Sequence, residues 1–118
     1  MPSSAMGELF IKTYLSKVQP LYPFLSRKRL CDAHSKRNQM DDFDDSEVVL
    51  NWITLHMVYA IGARCLQLIG AQGVSDVTPE KHYVSAMTKV HKALKVPGVR
   101  NVEVALLLAI YAMRSPSG

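Results

Sequence analysis

Residues 47–69, EVVLNWITLHMVYAIGARCLQLI, place apolar side chains all around a helical axis rather than along one face. A helix that is apolar on every side is packed against neighbours in several directions. Several of these residues are β-branched, so a strand is the competing interpretation, but the stretch is far longer than a typical strand. We therefore predict a central helix, started by a capping box of Asp44 and Glu47 and ended by Gly70.

Arg64 is a charged residue inside this apolar stretch, and two interpretations of it remain open. It contacts an acidic effector or a partner, or it has a structural role. In the structural role it extends to the surface, binds helix carbonyls or pairs with a carboxylate, since an unpaired buried charge costs several kcal/mol. Asp76 and Glu103 are the candidate carboxylates. The structural role is the favoured interpretation.

Gly62 interrupts the same stretch two residues before Arg64. Glycine inside a helix costs about 1 kcal/mol relative to alanine. We expect it to let another helix or an aromatic ring approach closely, with Tyr59 and Tyr83 as neighbours. Arg64, Tyr59 and Tyr83 are therefore the candidate contacts for a partner or an effector.

The rest of the chain also favours helices. An amphipathic pattern covers residues 7–18, prolines at 20 and 23 predict an extended plug, and N-terminal caps precede three further helices. The caps and the helices that follow them are Ser26 before 27–33, Thr78 before 79–96, and Asn101 before 101–114.

The predicted fold class is all-α. About five helices pack as an irregular bundle around two strongly apolar helices, 47–69 and 101–114, as part of a larger helical domain. Residues 1–7 are expected to form a flexible N-terminus. The three amphipathic segments are short, so we also expect an exposed apolar patch near 104–113.

Charge is unevenly distributed along the chain, which has a net charge of +4. Residues 27–37 carry +4 and residues 41–47 carry −5. The basic block is a candidate nuclear-import or phosphate-binding patch, and a solvated surface is the alternative. The basic residues of this patch are Arg27, Lys28, Arg29, Lys36 and Arg37.

Residue types used in catalysis and metal binding are present but scattered. The two cysteines have no CxxC spacing, and His82 and His91 are nine residues apart rather than the four of helical metal ligands. Cys65 and His56 are also too distant along one helix to form a nucleophile and base. We predict no cofactor or metal in this chain and no enzymatic activity. With no secretory signal and no apolar run of about 20 residues, we also predict no membrane partner.

Four segments, in this order, resemble the fungal-specific transcription factor domain, the middle homology region of fungal zinc-cluster regulators. They are LYPFLSRKRL (21–30), VYAIGAR (58–64), TPEKHYVSAM (78–87) and LLLAIYAMRSPSG (106–118). The chain departs from the family at Gln19, where histidine is common, and at SRKRL (26–30), where a His-Arg-Pro-like turn is common. The six-cysteine zinc cluster is missing.

The resemblance implies that residues 8–118 are the N-terminal part of a regulatory domain in a nuclear transcription regulator. Such a module responds to protein partners, to the remainder of the domain or to a small-molecule effector. DNA would be contacted only indirectly, through a zinc cluster elsewhere that holds the zinc. The alternative is a stand-alone helical adaptor or dimerisation protein derived from such a domain.

Overall fold

The computed structural model describes residues 2–71, 73–75, 78–95 and 97–114. Within these ranges the chain is all-α, as predicted, with six α-helices, one short 3-10 helix and no strand. The elements are α1 (Ser4–Lys17), α2 (Arg27–Ser35), the 3-10 helix (Arg37–Gln39), α3 (Ser46–Leu68), α4 (Thr78–Met87), α5 (Val90–Ala93) and α6 (Val99–Met113).

Helix α3 is the centre of the molecule. Every residue from Ile53 to Leu66 is buried, which confirms the prediction of a helix enclosed on most sides. The most extensive packing against α3 comes from α4 and α1, and α6 contributes less. The second apolar helix of the prediction is therefore not the main neighbour of α3. α4 lies along α3, with His82 beside His56, and α5 follows it, with Lys92 donating to the Phe43 carbonyl.

The length and composition of α3 are also sufficient to cross a membrane. However, 83% of its apolar 18-residue window is buried inside the molecule. The core helix of a globular protein has the same property, so this is weak evidence for a membrane span.

Three helix starts differ from the predictions. Helix α1 begins at Ser4, capped by Ser3, so most of the segment expected to be a flexible N-terminus (1–7) is helical. Asp45, not Asp44, caps α3, and its carboxylate accepts the amide of Glu47 at 2.9 Å. Helix α6 begins at Val99, two residues before Asn101. By contrast, Ser26 caps α2 as predicted, and Gly70 ends the turn after α3 with a φ of 77°.

The predicted helix 79–96 is divided into α4 and α5 by a turn at 88–89. The Thr88 hydroxyl donates a hydrogen bond of 2.7 Å to the Ser85 carbonyl. Threonine side chains that bond the nearby backbone compete with helical hydrogen bonds, which accounts for the interruption here.

The proline-rich plug is only partly packed. Leu25 is buried, Phe24 packs against the core, and Gln19 donates to the Leu25 carbonyl at 2.7 Å. Leu21 and Tyr22 instead point to solvent. Of the two aromatic residues in this segment, Phe24 therefore docks on the core and Tyr22 does not.

Gly62 lies where α1 crosses α3, as a close helix approach requires. A Cβ at this position would overlap the backbone of Phe10, most severely its carbonyl oxygen. The close approach is confirmed, but the neighbour is helix backbone rather than the ring of Tyr83. Glycine therefore sets the distance between the two helices.

Candidate functional site

The solvent side of α6 is entirely apolar. Seven residues of this helix are exposed, and none carries a polar side chain. They are Val99, Val102, Ala105, Leu106, Ala109, Ala112 and Met113, which we call the α6 outer face. The exposed fraction is 76% at Val99, 58% at Val102 and 62% at Met113. The apolar patch predicted near 104–113 is therefore present and extends back to Val99.

The charged residues of α6 point inward, the reverse of an ordinary surface helix. Glu103 is buried and lies 3.6 Å from both Arg29 of α2 and Arg100. Arg100 also donates to Glu47 at 2.8 Å and to Asn51 at 2.9 Å. These contacts fix the helix on α2 and α3, so its polar groups hold it in place while its apolar residues face solvent.

Arg64 is buried without a carboxylate beside it among the residues that the structure describes. Its guanidinium donates to the Gln67 side chain at 2.9 Å and reaches the Tyr111 hydroxyl at 3.5 Å. Its Nε has no hydrogen-bond partner within the part of the chain that the structure describes. Glu103, one of the two candidate carboxylates, does not pair with Arg64, because it faces Arg29 and Arg100 instead. The other candidate, Asp76, lies outside the described residues.

Tyr83 is connected to Arg64 through a residue that the sequence analysis did not single out. The rings of Tyr83 and Tyr111 are stacked, with centroids 4.8 Å apart and planes at 12°. The Arg64 guanidinium carbon lies 5.9 Å from the centroid of the Tyr111 ring, so Tyr111 contacts both Tyr83 and Arg64. Tyr83 retains some exposure and can contact a partner at the edge of α4.

Tyr59 has no exposed surface, so it makes no contact with a partner in this conformation. Its hydroxyl lies 2.6 Å from Nδ1 of His34, and burial raises the pKa of this phenol. Burial, with the nearby Arg37 guanidinium, lowers the pKa of His34. A neutral imidazole and a neutral phenol thus satisfy each other in the core.

No protein-family model, curated protein or solved structure matches this chain.

His56, which is buried, and His82, which is half-buried, form a second pair that the sequence analysis missed. Their Nδ1 atoms are 2.9 Å apart at one wall of an open cleft of about 700 Å³ between the starts of α1 and α4. Burial lowers the pKa of His56 to about 3, helped by His82, and that of His82 to about 4. One ring therefore donates its Nδ1 proton to the other.

Spacing along the chain could not reveal this pair, because the two histidines are on different helices. His91, which the spacing argument compared with His82, is exposed on α5. Among the described residues, no group of three or more His, Cys, Asp or Glu side chains is arranged to hold a metal ion.

The basic residues of segment 27–37 divide into two groups. Arg27, Lys28, Arg29 and Lys36 are exposed, and three of them line an open groove of about 440 Å³ between α2 and α3. Arg37 is half-buried and donates to the carbonyls of Pro2 and His34. Four residues of the candidate import or phosphate patch are therefore accessible, and Arg37 has a structural role.

Proposed function

We propose that this chain is the regulatory helical module of a fungal transcription factor, working in the nucleus through a protein partner or an effector. The observation that carries the binding role is the α6 outer face. Seven exposed apolar residues on one helix form the kind of surface that soluble proteins use for association. The transcriptional setting rests on the resemblance of four ordered segments to the fungal-specific transcription factor domain.

In this proposal the chain has no zinc cluster and contacts DNA only through a cluster in another part of the regulator. We further propose that it is not an enzyme. In this proposal the histidines have a structural role, His34 in its contact with Tyr59 and His56 in its contact with His82.

The proposal is tested by fusing the chain to a heterologous DNA-binding domain and measuring transcription from a reporter gene in a fungal cell. We expect the fusion to change reporter output and Leu106→Glu to abolish the change, because a charge on the α6 outer face opposes an apolar contact. Leu9→Glu is the matched control. Leu9 lies on α1 and is 42% exposed, whereas Leu106 is 41% exposed.

An inactive wild-type fusion that is nevertheless folded would contradict the regulatory role. Equal loss of activity in both variants would contradict the role of the α6 outer face. Association of the chain without any effect on the reporter would favour the alternative, a stand-alone adaptor or dimerisation protein.

A further inference from the structure

We infer that the α6 outer face packs against the same face of a second copy of this chain, with the two α6 helices antiparallel about a two-fold axis. The inference rests on the proposed function, because it names the partner that the α6 outer face binds. The arguments for it are the spacing of the residues, their sizes and the distribution of charge.

The spacing is that of a helix that pairs with another helix. Five residues of the face follow one another at steps of three, four, three and four, the repeat of the core positions of a coiled coil. They are Val99, Val102, Leu106, Ala109 and Met113. Such a row stays on one side of the helix over its whole length, so a single partner helix can cover it.

The sizes of the side chains are self-complementary. Leu106 is near the middle of α6, with Ala105 and Ala109 beside it and Val102 one turn earlier. In a two-fold pair centred between residues 105 and 106, each Leu106 enters the hollow that the small residues of the other copy leave. Alanines at this point also allow the helix axes to approach to about 8 Å.

The distribution of charge favours self-association in the antiparallel sense. The face carries no charge, so two copies with a net charge of +4 each can meet there without direct repulsion between the paired faces. The start of α6 lies beside the acidic segment 41–47, since Arg100 binds Glu47. The end of α6 carries Arg114.

An antiparallel arrangement brings Arg114 of each copy toward the acidic segment of the other and opposes the two helix dipoles. A parallel arrangement would place like charges at the same end.

Cysteine cross-linking tests both the contact and its direction. The background is Cys31→Ser, which removes the exposed native thiol, whereas Cys65 is buried. We expect Ala105→Cys to oxidise rapidly to a disulfide-linked dimer because the two copies of this residue meet near the axis. Neither Val99→Cys alone nor Met113→Cys alone should cross-link. Each position is about seven residues from the centre of the pair, so its two copies lie about 21 Å apart along the helix axis. A mixture of the two variants should cross-link.

Light scattering after size-exclusion chromatography gives the second measurement, without cysteine substitutions. We expect the wild-type chain and Leu9→Glu to form a dimer with increasing concentration and Leu106→Glu to remain monomeric. Helix content by circular dichroism shows that each variant is folded. Self-cross-linking of Val99→Cys and Met113→Cys would overturn the antiparallel arrangement, and a wild-type monomer at every concentration would overturn the dimer.

These outcomes are separable from those of the reporter assay. A monomer whose reporter activity still depends on Leu106 would overturn this inference and leave the proposed function standing with a different partner. A dimer that cross-links through Ala105→Cys but leaves the reporter unchanged would support this inference and contradict the regulatory role.

Discussion

Gly62 shows how one residue sets the geometry of the core. In an isolated helix, alanine is more favourable than glycine by about 1 kcal/mol. In this protein, the backbone of Phe10 occupies the space that an alanine methyl group would need. Backbone cannot rotate away as a side chain can, so the two helices would have to separate.

We expect Gly62→Ala to destabilise the protein by about 2 kcal/mol, which is the upper end of the usual overpacking cost of about 1–3 kcal/mol less a gain of about 1 kcal/mol in helix propensity. Urea unfolding of the variant and the wild type measures this difference. Gly73→Ala is the control, because nothing lies within 4 Å of its Cβ position and only its φ of 87° opposes the change. An increase in stability on Gly62→Ala would contradict the close packing of α1 on α3.

The paired histidines make stability depend on pH. Histidines of the unfolded chain titrate near 6.5, whereas burial holds the pKa of His56 at about 3 and that of His82 at about 4. At pH values between these folded-state pKa values and 6.5, the two histidines bind more protons in the unfolded state than in the folded state. The contribution of these two histidines to stability is therefore fully present above their unfolded pKa and is lost as the pH decreases.

Between pH 7 and pH 5, we expect His56 alone to lower the free energy of unfolding by about 2 kcal/mol, with further losses from His82 and His34. Urea unfolding at the two pH values measures the loss. The variant with both His56→Gln and His82→Gln should lose less stability over this interval. An unchanged pH dependence in that variant would contradict the assignment.

At the scale of a single helix, two neighbouring aspartates at the start of α3 have different hydrogen-bonding roles. The Asp45 carboxylate accepts the Glu47 amide, whereas Asp44 donates its own backbone amide to the Asp42 side chain. Both side chains are exposed, so their difference reports capping rather than burial.

We expect Asp45→Ala to cost about 1 kcal/mol, the usual value for loss of an N-cap. Asp44→Ala should change stability by less than about 0.5 kcal/mol, as most surface substitutions do. Thermal unfolding of the two variants in the same buffer provides the comparison. A larger loss of stability on Asp44→Ala than on Asp45→Ala would contradict this assignment and favour Asp44, the cap predicted from the sequence.

Helix α6 departs from the usual amphipathic pattern because its charged residues point inward, and ion pairs account for this orientation. Glu103 and Arg100 are directed toward α2 and α3, where they find partners of opposite charge. Ordinary amphipathic packing would place them in water. The cost of burying Glu103 is reduced by two arginines, and the apolar residues on the opposite side are left for a partner.

At the scale of the whole molecule, α3 organises the other helices around it. It contacts each of the other five α-helices, whereas α5 is a single turn at the periphery. Residues Ile53 to Leu66 have no exposed member. Opening of this segment to solvent therefore requires that most of the protein unfold.

We expect hydrogen exchange to show the slowest amides in α3 between residues 53 and 66, with protection equal to the global free energy of unfolding, about 5–15 kcal/mol. Amides of α5 should exchange much faster, through local opening. Mass spectrometry of peptic fragments after labelling measures both. Equal protection of α3 and α5 would contradict the central position of α3.

The sequence by itself determined the all-α class, the extent of the central helix, the caps at Ser26 and Gly70, and the exposed apolar residues of the last helix. These properties depend on the periodicity of side chains and on local backbone chemistry, which are present in a short window of sequence. The close approach at Gly62 was also predictable, because a glycine inside a long helix carries a cost that packing must offset.

Only the tertiary structure decided which helices are neighbours and which polar groups meet. The pairs His56 with His82, His34 with Tyr59, and Tyr83 with Tyr111 each join different helices. Glu103 pairs with Arg29 of α2 rather than with Arg64 for the same reason, whereas its second partner, Arg100, lies three residues earlier on α6. Contacts between residues distant in sequence depend on how the helices are arranged in space, and a local pattern contains no information about that arrangement.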